Sequence, residues 1–245
     1  MRNKWYWAFK YIFFGPLLRV WNRPWSEGMD NIPEQGAAIV ASNHQAVMDS
    51  FFLPLLCPRQ ITFLAKEEYF VTPGPVGRAQ AWFFTAVGQK PVARTSESAA
   101  ADMLATAQRI LDEGNLFGIY PEGTRSPDGR VYKGRVGMAR VAMATGHPVI
   151  PVAMVGTREA NPIGSWILRP RRVGMRIAKP IDPHEWARQR GLDPQDHATA
   201  REFTDALMRT LATLARRDYV DVYASDVKAS LAAGQGYPQG AQPRA

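Results

Sequence analysis

Short apolar runs alternate along the chain with stretches whose apolar residues recur at helical spacing, and glycine, proline and asparagine punctuate the boundaries. Positions 37–41, 61–65, 116–120 and 149–155 are apolar runs of strand length and predict buried strands. Positions 172–178 alternate basic or small with apolar residues, as a half-buried strand does, and 90–93 reads as a short strand that Pro91 confines to a sheet edge. Between them, 48–56, 76–86, 96–113, 136–145 and 197–217 predict helices. Ser96 or Ser98 is suited to cap the third of these, and Gly114 and Gly146 to close the third and fourth. The strand and helix order predicts an α/β domain, a mostly buried mixed sheet with helices on both sides. Residues 232–243 lack any apolar period and predict disorder.

The first 25 residues fit none of these patterns. Trp5, Tyr6, Trp7, Tyr11 and Trp21 are residue types of the membrane interface, and Arg2, Lys4, Lys10, Arg19 and Arg23 occur with no acid before Glu27. A secretory signal is a poor fit, because Lys10 interrupts the apolar stretch and no small-residue cleavage site follows. The stretch also falls short of the roughly 20 apolar residues that span a bilayer. Residues 1–25 are therefore expected to be an interfacial membrane-anchoring helical segment, at about 1 kcal/mol per basic residue near an anionic leaflet plus the buried aromatics. The competing reading is a helix packed on the protein's own core. Residues 26–218 form the expected main domain, and 219–245 a tail whose last part is disordered.

Composition narrows the partners. With 245 residues and 46% hydrophobic content the chain has material for one sizeable core, and its net charge of +8 asks for an anionic partner. Nucleic acid is disfavoured, since no helix-turn-helix, finger or aromatic strand signature is present and the aromatics cluster at the amino terminus. Anionic lipid at the cytoplasmic face of the cell membrane and a phosphorylated substrate remain. The single cysteine, Cys57, lies in an apolar run, reads as a buried thiol and favours a reducing compartment. The four histidines have no metal-ligand spacing, so no metal is expected. The basic cluster Arg169, Arg171 and Arg172 is either a solvated loop or a second contact with lipid phosphates.

His44 and Asp49 stand between a predicted strand and a predicted helix, where polar residues project from an open α/β sheet. Five positions apart, they would point about 140° apart on one helix and to opposite faces of one strand, so they converge only across a turn. Such a pair suits general-base catalysis, the carboxylate fixing the imidazole tautomer. A capping Asn43 or Asp49 beside an incidental histidine is the plain alternative. No nucleophile elbow of the Gly-x-Ser-x-Gly kind occurs, so the base would activate an acceptor hydroxyl directly. The turn Pro121-Glu122-Gly123-Thr124-Arg125-Ser126 follows a predicted strand and offers free N–H groups, a hydroxyl and a guanidinium suited to phosphate. Glu122 could hold Arg125 or accept a glycerol hydroxyl.

Together these segments resemble the lysophosphatidate acyltransferase family, the plsC-type glycerolipid acyltransferases. The resemblance covers roughly residues 26–180 and is carried by Asn43-His44 with Asp49, by Gly88 with Arg94, by Pro121 to Ser126, and by the strand Pro148 to Val152. It implies a glycerolipid acyltransferase-like fold and transfer of a fatty acyl group from acyl-coenzyme A or acyl carrier protein to the sn-2 hydroxyl of 1-acylglycerol 3-phosphate, with no cofactor beyond the thioester. His44 would then be the base and Asp49 its partner. Arg94, Glu122, Gly123, Thr124 and Arg125 would bind the acceptor, with Asn43 and Arg135 as further contributors. The ending Val92-Ala93-Arg94 departs from the family's more usual Ile-Asp/Asn-Arg, which leaves glycerol 3-phosphate, a lysophospholipid or a glycolipid open as acceptors, and a non-catalytic membrane-surface or nucleic-acid-binding protein stands as the alternative from another class.

Overall fold

The computed structural model of the chain describes residues 3–92 and 99–243. Its strands are β1 (Trp25–Glu27), β2 (Ala38–Ser42), β3 (Ile61–Lys66), β4 (Lys90–Val92), β5 (Leu116–Ile119), β6 (Val131–Tyr132), β7 (Val149–Val155), β8 (Gly174–Ile177) and β9 (Tyr219–Val220). Seven form one sheet in the order β1-β8-β7-β2-β5-β3-β4, parallel throughout except where β8 runs against β7. The helices are α1 (Lys4–Ala8), α2 (Phe14–Asn22), α3 (Asp49–Leu56), α4 (Glu68–Val71), α5 (Gly74–Ala86), α6 (Ala99–Asp112), α7 (Gly137–Thr145), α8 (Thr157–Ala160), α9 (Pro183–Arg188), α10 (His197–Ala215) and α11 (Ala224–Ala232). As expected from Pro91, β4 lies at a sheet edge.

The strands divide the core in two because successive side chains leave opposite faces of a sheet. Ile39, Ala41, Phe117, Val149 and Ala153 face a cluster built with α6, α7 and α10. Ala38, Val40, Leu116, Ile150, Val152 and Met154 face a second cluster closed by α2 and α3. Burial on both faces explains why these strands read as continuous apolar runs. Cys57 is a buried free thiol.

The amino-terminal segment divides its residues between two environments. A π-helical turn, Phe9–Phe13, joins α1 to α2. Tyr6 and Leu18 are buried, while Ile12, Phe13, Leu17, Val20 and Trp21 are exposed. Lys10, expected to face lipid headgroups with its basic neighbours, is instead buried, and its ammonium donates to the carbonyls of Pro54 and Cys57 at the end of α3. Those carbonyls lack helical partners and carry the negative end of the helix dipole, so they compensate the cation there. Burial lowers the Lys10 pKa to about 8. No described helix is long and apolar enough to cross a membrane.

The carboxy-terminal residues also differ from expectation. β9 pairs in parallel with β6, and Tyr132, Val220, Ala224, Val227 and Ala241 share a small buried cluster. The Arg130 guanidinium donates to the carbonyls of Ala241 and Gln242. The stretch 232–243, which carries no apolar period, is thus held by backbone carbonyls and by the scattered side chains of Tyr237 and Ala241, features that hydrophobic periodicity does not register. Trp25, the last residue of the expected 1–25 segment, begins a sheet strand and lies against Gly174.

Gly118 on β5 makes room for a stack that reaches the site described below. A Cβ at this position would stand 2.5 Å from the Phe63 ring and 2.6 Å from the Ile61 side chain. Phe63 in turn stacks on Tyr120, ring centres 5.3 Å apart. Gly118→Ala should therefore destabilise the fold by about 1–3 kcal/mol through overpacking, read as a lower urea midpoint at unchanged slope.

Candidate active site

Parallel pairing of β2 with β5 sets two turns side by side. Ala41 is opposite Ile119 in the register, and three residues further along each strand stand His44 and Glu122. Their proximity is direct, the His44 N–H donating to Glu122 Oε1 at 3.0 Å. The other oxygen, Oε2, accepts from the Tyr132 N–H at 3.1 Å. Ser126 N–H donates to the His44 carbonyl at 2.7 Å, tying the two turns together again.

His44 leaves the end of β2 and Asp49 opens α3, so the turn between them brings the side chains together as the spacing requires. His44 Nδ1 and Asp49 Oδ2 are 2.9 Å apart. The same oxygen accepts the N–H groups of Gln45 at 2.6 Å and Ala46 at 2.8 Å. Asp49 therefore both fixes the turn and orients the imidazole. His44 lines the cavity, and with Nδ1 engaged Nε2 is its remaining ring nitrogen. Tyr120 stacks beneath the imidazole, ring centres 4.0 Å apart and planes inclined by 12°. The Tyr120 hydroxyl lies 3.2 Å from Ser50 Oγ, and burial raises its pKa, with the Asp49 charge adding to the rise.

Asn43 is fully buried and spans to the end of β7, its Oδ1 accepting from Met154 N at 2.7 Å and its Nδ2 donating to Met154 O at 3.1 Å. It holds the turn and is not part of the cavity wall. Glu122 has the same character. Sequence suggested that it would hold Arg125 or meet a glycerol hydroxyl; it is 2% exposed, with its oxygens on two backbone N–H groups. Burial pushes its carboxyl up to about 8, against the opposing pull of those N–H groups.

Gly123, Thr124, Arg125 and Arg135 do line the cavity with His44. Gly123 adopts φ +71°, a conformation that favours glycine and that lets the turn double back beside His44. Arg135 donates to Ser225 Oγ at 3.1 Å and lies 4.7 Å from the centre of the Tyr223 ring. Thr124 Oγ1 accepts from the Lys228 ammonium at 2.9 Å. Arg94 lies outside the described residues, as do the cap candidates Ser96 and Ser98. Among the described residues no group of His, Cys, Asp and Glu is arranged to hold a metal ion.

The cavity has a volume of about 1430 Å³. Its lining combines the arginine-bearing turn beside His44 with Phe9, Phe14, Phe51, Phe83 and Leu104, drawn from the amino-terminal segment and α3, α5 and α6. Sequence reasoning did not single out Tyr120 or Lys228, which the structure sets against His44 and Thr124. Tyr120 was legible in principle, as an aromatic residue at a strand exit directly before the Pro121 turn; Lys228, 104 positions away from its partner, had no local signal.

The acyltransferase family model matches residues 24–155. The chain is 34% identical over 157 residues to a chloroplastic 1-acyl-sn-glycerol-3-phosphate acyltransferase, LPAT1, of Arabidopsis thaliana, covering 63% of this chain and 42% of that one. It is 32% identical over 136 residues to the 1-acyl-sn-glycerol-3-phosphate acyltransferase of Borreliella burgdorferi, covering 53% of this chain and 50% of that one. The chain spans about half the length of the curated relatives it matches. Among solved structures, the crystal structure of the 1-acyl-sn-glycerophosphate acyltransferase PlsC from Thermotoga maritima aligns with a TM-score of 0.63 at 29% identity, over 84% of this chain and 78% of that one. Because the matched region spans both turns that meet across the β2–β5 pair, the paired histidine and aspartate of one and the arginine of the other, this chain belongs to the acyltransferase family.

Proposed function

We propose that the protein transfers a fatty acyl group from an acyl thioester, acyl-coenzyme A or acyl carrier protein, to the sn-2 hydroxyl of 1-acylglycerol 3-phosphate, giving phosphatidic acid for phospholipid synthesis. The observation that carries this reading is the position of His44, oriented by Asp49 at 2.9 Å, in a cavity lined both by arginines and by aromatic and aliphatic side chains. An acceptor that carries both a phosphate and an acyl chain suits that mixed lining, whereas glycerol 3-phosphate alone would leave the apolar side chains unused.

In the proposed step His44 Nε2 takes the proton of the acceptor hydroxyl as its oxygen bonds to the thioester carbonyl carbon. The tetrahedral adduct then collapses with cleavage of the carbon–sulfur bond, and the imidazolium returns the proton to the leaving thiolate. Asp49 holds Nδ1–H and stabilises the imidazolium throughout. Gly123, Thr124, Arg125, Arg135 and the undescribed Arg94 are assigned to the acceptor phosphate. Glu122 and Asn43 are assigned to positioning the turn.

The substrate would be met at a membrane surface, with the protein peripheral or monotopic on the cytoplasmic face. Supporting this, the Trp21 indole donates to Leu168 O at 3.0 Å, and Asn22 Nδ2 donates to the carbonyls of Arg169 and Arg171. These bonds join α2, with its exposed Leu17 and Val20, to a loop on which Trp166 is wholly exposed and Ile167 is 74% exposed. Exposed Arg19, Arg23, Arg169, Arg171 and Arg172 flank the surface. This mixture of apolar residues, tryptophan and arginine suits the headgroup region of an anionic leaflet.

Two outcomes are expected. His44→Ala should lower turnover of 1-acylglycerol 3-phosphate by at least about 10²- to 10⁴-fold, the contribution of a general base, with the thermal midpoint and vesicle binding unchanged; a variant that keeps turnover would remove His44 from the mechanism. Replacing Leu17, Val20, Trp166 and Ile167 with serine should release the protein from phosphatidylglycerol vesicles in a flotation assay, and undiminished flotation would place the membrane contact elsewhere.

A further inference from the structure

The carboxy-terminal segment brings a cation to the turn assigned to the acceptor phosphate, and it does so from outside the region that the family model matches. Its placement is fixed at several points. β9 pairs with β6, Lys133 N–H donates to Val222 O at 3.2 Å, and Ala224 and Val227 of α11 are buried against Tyr132 and Val220. One helical turn holds Arg135 through Ser225, and the next residue on that face, Lys228, donates to Thr124 Oγ1 at 2.9 Å.

Charge at this point is unbalanced. Arg125 and Arg158 lie close enough to Lys228 to disfavour its protonated form, adding to burial, and the nearby acid is Glu122, whose oxygens are committed to two backbone N–H groups. Arg158 is itself held by the carbonyls of Ser126 and Pro127, so it braces the turn from behind. A dianionic group beside Thr124 would relieve the repulsion among these cations and take donors from Lys228 and Arg125 together.

We infer that Lys228 is an acceptor-binding residue that selects a phosphomonoester, reaching the substrate phosphate alongside Thr124 and Arg125 from the carboxy-terminal helix. The inference rests on the acceptor proposed above and adds to it a recognition residue that lies outside the 24–155 region shared with the family. A lysine serves here as a mobile point charge, able to leave Thr124 for the phosphate, whereas the arginines supply fixed planar donors.

The test compares the wild-type protein with Lys228→Gln and Lys228→Arg, with KM and kcat measured separately for 1-acylglycerol 3-phosphate at saturating acyl thioester. Lys228→Gln keeps a polar group near Thr124 but removes the charge. It should raise the acceptor KM by about tenfold or more, the usual cost of losing one charge-assisted hydrogen bond, with kcat within about threefold and an unchanged thermal midpoint. Lys228→Arg should recover most of the affinity. Wild-type turnover with an acceptor KM unchanged in Lys228→Gln overturns the inference alone, as does a fall in kcat with KM unaltered. No transfer to 1-acylglycerol 3-phosphate by the wild-type protein overturns the acceptor reading and this inference with it.

Discussion

Three consecutive backbone N–H groups, those of His44, Gln45 and Ala46, are taken by two buried carboxylates, Glu122 from the neighbouring turn and Asp49 from the following helix. A buried N–H group left without an acceptor costs about 1–3 kcal/mol, so these contacts determine which path the chain follows after β2. The imidazole of His44 is fixed by the same arrangement, because Asp49 Oδ2 serves the backbone and the ring together. Positioning of the imidazole is thus inseparable from closure of the turn. Capping the turn and orienting the ring are not alternatives for Asp49, since one oxygen does both.

Everything around this turn acts to keep it in one geometry. Parallel register brings Glu122 beside His44, Asn43 reaches across to β7, and Tyr120 supports the imidazole from below while resting on Phe63. The missing side chain of Gly118 leaves space for that stack. Rigid strands set His44 and the arginine turn at one end of the sheet, at the carboxyl ends of parallel strands, where open α/β folds place their ligands. The apolar lining of the cavity comes largely from elements outside the sheet, so the cavity depends on the amino-terminal segment folding against α3 and α5.

The central strands were legible because burial on both faces makes them continuous apolar runs, and the helices because their apolar stripes recur at helical spacing. The edge strand β1 and the auxiliary strands were not: β1 has three residues and β6 and β9 two each, too few for any period to emerge. Lys10 was read by its charge, yet its burial depends on carbonyls of α3 more than forty positions away. Within the site, His44 and Asp49 were recognisable from a spacing that only a turn can reconcile, and Arg125 from its glycine-bearing loop. Glu122 was identified by position but not by role, because its partners are backbone groups that no side-chain pattern encodes. The carboxy-terminal contribution arises wholly from tertiary packing.

The central claim is that a base held by Asp49 acts on the hydroxyl of a phosphate-bearing lipid. It is tested most directly by giving the purified protein a labelled acyl thioester together with, in turn, 1-acylglycerol 3-phosphate, glycerol 3-phosphate, a lysophospholipid and a glycolipid, and by identifying the labelled product. The account predicts labelled phosphatidic acid as the principal product, with 1-acylglycerol 3-phosphate giving the highest kcat/KM. Labelled glycolipid with no phosphatidic acid would contradict it.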